Sequence, residues 1–147
     1  MKTENIRVLL IDDDDGAREA LKFYLEEVEG FEVVAFAGGK KALEYLRKWS
    51  ETFAAVLLDY VLTPQMSGDQ VLAEINELFP KLPVIVFTGM DREGGVQTLV
   101  KGAYYFMARP LNHVELVNVV KGFFEQDDFL NQLAIDSRRI TNADLTL

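Results

Sequence analysis

The stretch "RVLLIDDDDGAREAL", residues 7–21, carries four apolar residues, Val8 to Ile11, straight into four aspartates, Asp12 to Asp15. A short apolar run ended by acids reads as a buried strand. Beyond it Ala17, Ala20, Leu21, Tyr24, Leu25 and Val28 recur at threes and fours, the spacing of an amphipathic helix, with Asp14 or Asp15 placed to cap it. The stretch is therefore one βα unit. Its acids need a reason, because two carboxylates at about 4 Å repel by roughly 1 kcal/mol in water and about 4 kcal/mol at a surface-like dielectric.

The unit repeats along the chain. "FEVVAF" (31–36), "FAAVLL" (53–58), "PVIVF" (83–87) and "AYYFMA" (103–108) join "IRVLLI" (6–11) as strand-like runs. Ala42, Leu43, Leu46 and Trp49 mark a second helix, and Val71, Leu72, Ile75, Leu78 and Phe79 a third, stopped by Pro80. A fourth is expected over 93–101, ending at Gly102. A fifth carries Val114, Val117, Val120, Phe123 and Phe124. Five βα units whose strands are apolar on both faces predict an α/β fold, a doubly wound five-stranded parallel sheet covered by helices on both sides. After Phe124 the text turns polar. The domain is expected over 1–125, and 126–147 is expected to prolong the last helix through Leu130, Leu133 and Ile135 before becoming a linker or tail.

Bulk properties narrow the function. A chain of 147 residues with 49% hydrophobic and 27% charged residues has the size and composition of one globular domain. A net charge of −9 argues against non-specific nucleic-acid binding and favours cations or basic partners. With no cysteine there is neither a disulfide framework nor a thiolate metal site. No run of 18 apolar residues offers a membrane span, and the N-terminus lacks a signal-peptide pattern, so a cytoplasmic location is expected.

In a parallel sheet all strands end on one edge, where doubly wound folds bind their ligands. The ends here are Asp12-Asp13, Asp59, Thr88 and Arg109-Pro110. Taken singly each is ordinary: a strand-end aspartate caps a helix, and a threonine bonds its own backbone. His113, the only histidine, reads as a surface or capping residue. Together, however, hard oxygen ligands without His or Cys suit Mg2+. A hydroxyl and a fixed cation beside one carboxylate suit the transfer of a phosphoryl group.

That constellation resembles the receiver domain of two-component response regulators. The matching parts are Asp12-Asp13, Asp59 in "VLLDYVLTPQMSG", Thr88 in "PVIVFTG" and "GAYYFMARP" ending in Arg109-Pro110. The resemblance spans residues 5–125 and implies a flavodoxin-like sheet of strand order 2-1-3-4-5. It implies that Asp59 accepts a phosphoryl group from a phosphohistidine on a sensor histidine kinase or phosphotransfer protein. It further implies that Asp13 ligates Mg2+, Asp12 orients the water shell of the ion and the Val61 carbonyl completes the protein ligands. Thr88 would bond a phosphoryl oxygen and Phe106 would stand as the switch aromatic. Asp14 and Asp15 are left to the helix N-terminus, where negative charge is favourable. An output domain or partner protein is expected on the face of the fourth helix, fifth strand and fifth helix, with no direct nucleic-acid contact.

Three departures accompany the resemblance. Arg109 stands where the family has lysine, keeping the charge in a bulkier, forked form. After Asp59 the chain reads Leu62-Thr63-Pro64 and reaches Gly68 at nine residues instead of eight. Tyr104 and Tyr105 replace acidic residues used for dimer salt bridges in one class, so a homodimer, if formed, is not expected to use that charged pattern. Val61 and Met90, both apolar, offer nothing to position an attacking water, and slow self-dephosphorylation is expected. Two other readings compete: a degenerate receiver serving as a phosphorylation-independent docking module, and a haloacid-dehalogenase-type phosphatase with Asp12 as nucleophile and Asp14 as general acid.

Overall fold

The computed structural model describes residues 6–60, 66–89 and 92–125, without the side chain of Thr88. Val61, the Leu62-Thr63-Pro64 stretch of the loop with its one extra residue, Met90 and the segment 126–147 lie outside the described residues. Five strands, β1 (Arg7–Ile11), β2 (Glu32–Phe36), β3 (Ala55–Asp59), β4 (Val84–Thr88) and β5 (Tyr105–Ala108), form one sheet in the order β2-β1-β3-β4-β5. Every pairing is parallel, as expected. The strands alternate with α1 (Asp15–Phe23), α2 (Gly39–Trp49), α3 (Gly68–Leu78), α4 (Arg92–Val100) and α5, over 113–125. The predicted strand limits move by one or two residues. The third begins at Ala55 because Phe53 and Ala54 carry the chain from a 3-10 turn into the ladder, and it ends on Asp59 itself.

The period of two in the strands divides the core. Val8, Leu10, Ala55, Leu57, Ile85, Phe87 and Met107 face Leu21 and Leu25 of the first helical segment and Leu116, Val117 and Val120 of α5. Leu9, Ile11, Val56, Leu58, Val84 and Val86 face Ala42, Leu43 and Leu46 of α2 and Val71, Leu72 and Ile75 of α3. Burying each such aliphatic side chain contributes about 1.5–3 kcal/mol, which is why strands apolar on both faces demand helices on both faces.

Local chemistry sets the helix ends. Asp14 caps α1 by accepting the Ala17 N–H at 2.9 Å. Its last turn widens into π geometry over Tyr24–Val28 before Gly30, at φ +75°, turns the chain into β2. Ser67 and Gln70 close a capping box on α3. The cap of α5 is Asn112, which accepts the Glu115 N–H at 3.0 Å, so His113 is not a cap. It stacks on Tyr24 instead, with ring centroids 4.4 Å apart. Starting the helix there corrects its expected apolar face. Val114 is 65% exposed, and Leu116, fully buried, takes the inward position with Val117 and Val120. The paired tyrosines also separate. Tyr104 sets its ring against the edge of Phe123, while the Tyr105 hydroxyl donates to Glu115 and ties β5 to α5. That bond, then burial and the negative charge of Glu115, hold the Tyr105 phenol above its ordinary pKa.

Candidate functional site

Strand register builds the site. β1 and β3 pair with Ile11 opposite Leu58, so the next residues, Asp12 and Asp59, end neighbouring strands side by side. Both are nearly closed off, at 2% and 8% exposure. Asp13 is more open, and one carboxylate oxygen from each of Asp12, Asp13 and Asp59 lies within 4.8 Å of the others. The sequence-predicted acids therefore meet at one point on the carboxyl edge of the sheet. The set is all hard oxygen, and a divalent cation would relieve the repulsion among its charges.

A positive charge from β5 already serves part of that need. The Arg109 Nη2 donates to Asp12 Oδ2 at 3.1 Å and lies 3.5 Å from Asp59 Oδ2. Its guanidinium passes the Phe87 ring at 6.0 Å on the way. The peptide bond to Pro110 is cis. The other Asp12 carboxylate oxygen, Oδ1, accepts the Asp14 N–H at 2.9 Å. Arg18 is a contributor that sequence reasoning missed. Its Nη1 donates to the Asp12 main-chain carbonyl at 2.8 Å, and its Nη2 pairs with Asp15 at 2.7 Å. The i,i+3 spacing of Asp15 and Arg18 was the available signal. Asp14, the general acid of the phosphatase reading, here caps α1, its Oδ1 accepting the Ala17 N–H.

Of the remaining expected residues, Thr88 ends β4, its backbone in register with Ala108. The Val61 carbonyl lies outside the described residues. Phe106 sits on β5 opposite Val86, and its ring packs against α4 where Gly95 has no side chain. A Cβ built on Gly95 would come within 2.3 Å of the ring edge. Gly95→Ala is expected to cost about 1–2 kcal/mol through overpacking. In a Phe106→Ala background the clash is gone, and the same change should stabilise by up to about 1 kcal/mol through helix propensity. Urea unfolding of the four proteins in the cycle reads the inversion, and a cost unchanged by Phe106→Ala would refute the contact.

Comparison with known proteins agrees with this geometry. Residues 8–121 match the response regulator receiver domain family. The chain is 30% identical over 143 residues to Response regulator Rre1 of Synechocystis sp., covering 93% of this chain and 59% of that protein. It is 34% identical over 137 residues to the C4-dicarboxylate transport transcriptional regulatory protein DctD of Rhizobium meliloti, covering 92% of this chain and 28% of that protein. The chain thus spans less than two thirds of either relative. A crystal structure of a response regulator receiver domain protein from Clostridium thermocellum superposes with a TM-score of 0.77 at 24% identity, covering 85% of this chain and 98% of that one, which supports the fold. No helix among the described residues is long and apolar enough to cross a membrane. With the acids, the cation and the strand order in their places, the chain belongs to the response regulator receiver domain family of two-component systems.

Proposed function

We propose that Asp59 accepts a phosphoryl group from a phosphohistidine of a sensor histidine kinase or phosphotransfer protein, in a reaction that requires Mg2+. The observation that carries this reading is the convergence of Asp12, Asp13, Asp59 and Arg109 on one edge of the sheet. A carboxylate oxygen of Asp59 forms the new P–O bond as the P–N bond to the donor imidazole breaks, and the departing nitrogen takes a proton from solvent. Asp12, Asp13, Asp59 and the Val61 carbonyl would hold Mg2+, which when bound would supply positive charge against the phosphoryl oxygens. Arg109, already at the Asp59 carboxylate, adds a second cation, and Thr88 offers its hydroxyl.

The chain thereby catalyses its own phosphorylation, and the apolar Val61 and Met90 leave hydrolysis slow. Switching follows as a shift of population through Thr88 and Phe106 to α4, which passes the signal to an output domain or partner protein on the α4-β5-α5 face. The domain is 1–125, the segment 126–147 is its extension and linker, and the setting is the cytoplasm. Intact mass after incubation with acetyl phosphate tests the metal requirement. One phosphoryl adduct is expected with Mg2+ and none with excess chelator. A folded protein that gains no adduct under either condition, nor from a histidine kinase, would instead be a docking module.

A further inference from the structure

We infer that the segment following α5 docks Phe129, Leu130 and Leu133 into a groove on the amino edge of the sheet, the edge away from the acidic pocket. The groove has a volume of about 1080 Å3. It lies where the chain enters β3, β4 and β5, between the end of α3 and the end of α5, and Leu78, Phe79, Tyr104, Phe123 and Phe124 line it. Leu78 is 46% exposed and Tyr104 59%. Large apolar side chains left open along one groove mark a surface that takes a partner.

Two observations make the chain's own next segment that partner. The first is the phase of the helix. α5 buries Leu116, Val117 and Val120 and reaches the groove with Phe123 and Phe124. At threes and fours that stripe continues to Asp127, Asp128 and Asn131, while Phe129, Leu130 and Leu133 fall outside it. A straight continuation of α5 would therefore turn acids toward the domain and apolar residues to water. A turn after Glu125 reverses this, because Phe129, Leu130 and Leu133 share one face at helical spacing and can cover the groove together.

The second is reach. Phe123 and Phe124 already stand in the groove wall, Phe123 edge-on to Tyr104 with ring centroids 4.6 Å apart. The stretch 125–128 spans up to roughly 14 Å when extended, so Phe129 starts beside the groove. A segment tethered this closely is present at an effective concentration in the millimolar range, which a second copy in dilute solution does not match. Docked there, the linker is a strut and not a free tether. It covers Tyr104, beside β5, and fixes the direction in which an output domain leaves the receiver.

The chain has no cysteine, so Asn131→Cys gives one attachment point for a nitroxide spin label. In the full chain, 15N-labelled, the nitroxide should broaden the amide signals of Phe79, Leu82 and Tyr104 and leave those of Asp12 and Asp13 sharp. Adding Phe129→Ser and Leu130→Ser should abolish the broadening. Leu78→Lys should weaken it, and this change suits the fold because Leu78 is a half-exposed last residue of α3, where a cation is favourable. Thermal melts confirm that each variant is folded. Groove amides that stay sharp in the labelled chain would overturn the inference, a readout that needs neither further variant. Broadening that survives both Phe129→Ser with Leu130→Ser and Leu78→Lys would overturn it too. In a mixture of unlabelled 15N chain with spin-labelled 14N chain the signals should stay sharp; broadening there would put a second copy in the groove and contradict the inference. Phosphoryl uptake by Asp59 is untouched by any of these outcomes.

Discussion

Gly68→Ala is expected to destabilise the domain by about 2–4 kcal/mol, roughly a 10 °C fall in Tm, because backbone meets backbone at this position. A Cβ there would stand 2.1 Å from the Tyr60 carbonyl oxygen and 2.8 Å from the Tyr60 carbonyl carbon and Cα. No flexible side chain is available to yield, so the first turn of α3 must lift away from the end of β3. Lifting it strains the Ser67–Gln70 capping box and disturbs the residue that directly follows Asp59. Alanine's helix propensity returns less than about 1 kcal/mol of this. Gly122 in α5 is the control. Nothing lies within 4 Å of its would-be Cβ, so Gly122→Ala should be neutral or stabilising by up to about 1 kcal/mol. Thermal unfolding of the two variants decides the matter, and a Gly68→Ala protein as stable as wild type would contradict the close approach.

Gly68 also shows what the sequence conceals. Counting from Asp59 reveals the extra residue before it, but not that the helix must resume hard against the Tyr60 carbonyl. The acids were legible because they depend on local order: an apolar run that ends in Asp12-Asp13 and another that ends in Asp59 must leave those groups on one edge once the sheet is parallel. Their adjacency also needs the pairing of β1 with β3, which periodicity does not supply and the family resemblance did. Arg109 was expected in the site for its charge. Its clasp on Asp12, 97 residues away in sequence and reaching across from β5, depends on side-chain path and leaves no mark in spacing. The face of α5 was misread for a related reason. Val114, Val117 and Val120 keep a helical spacing, but the Asn112 cap and the packing against the sheet select Leu116, Val117 and Val120. Gly95 lies within the expected fourth helix, but its role as the seat of Phe106 leaves no mark in the spacing.

Asp59→Asn is expected to abolish phosphoryl uptake, a loss of at least about 1000-fold, as follows when a nucleophile is removed from a site whose groups act together. The amide keeps the size and shape of the carboxylate but lacks its nucleophilic charge. The fold should survive, because the substitution also lessens repulsion with Asp12 at this crowded edge. The most direct measurement is intact mass, followed by peptide mapping, of wild type and Asp59→Asn after identical exposure to acetyl phosphate and Mg2+. A single adduct that maps to Asp59 in wild type and is missing from a folded Asp59→Asn protein is the predicted result. An adduct of equal yield in Asp59→Asn, or one that maps to Asp12 in wild type, would contradict it.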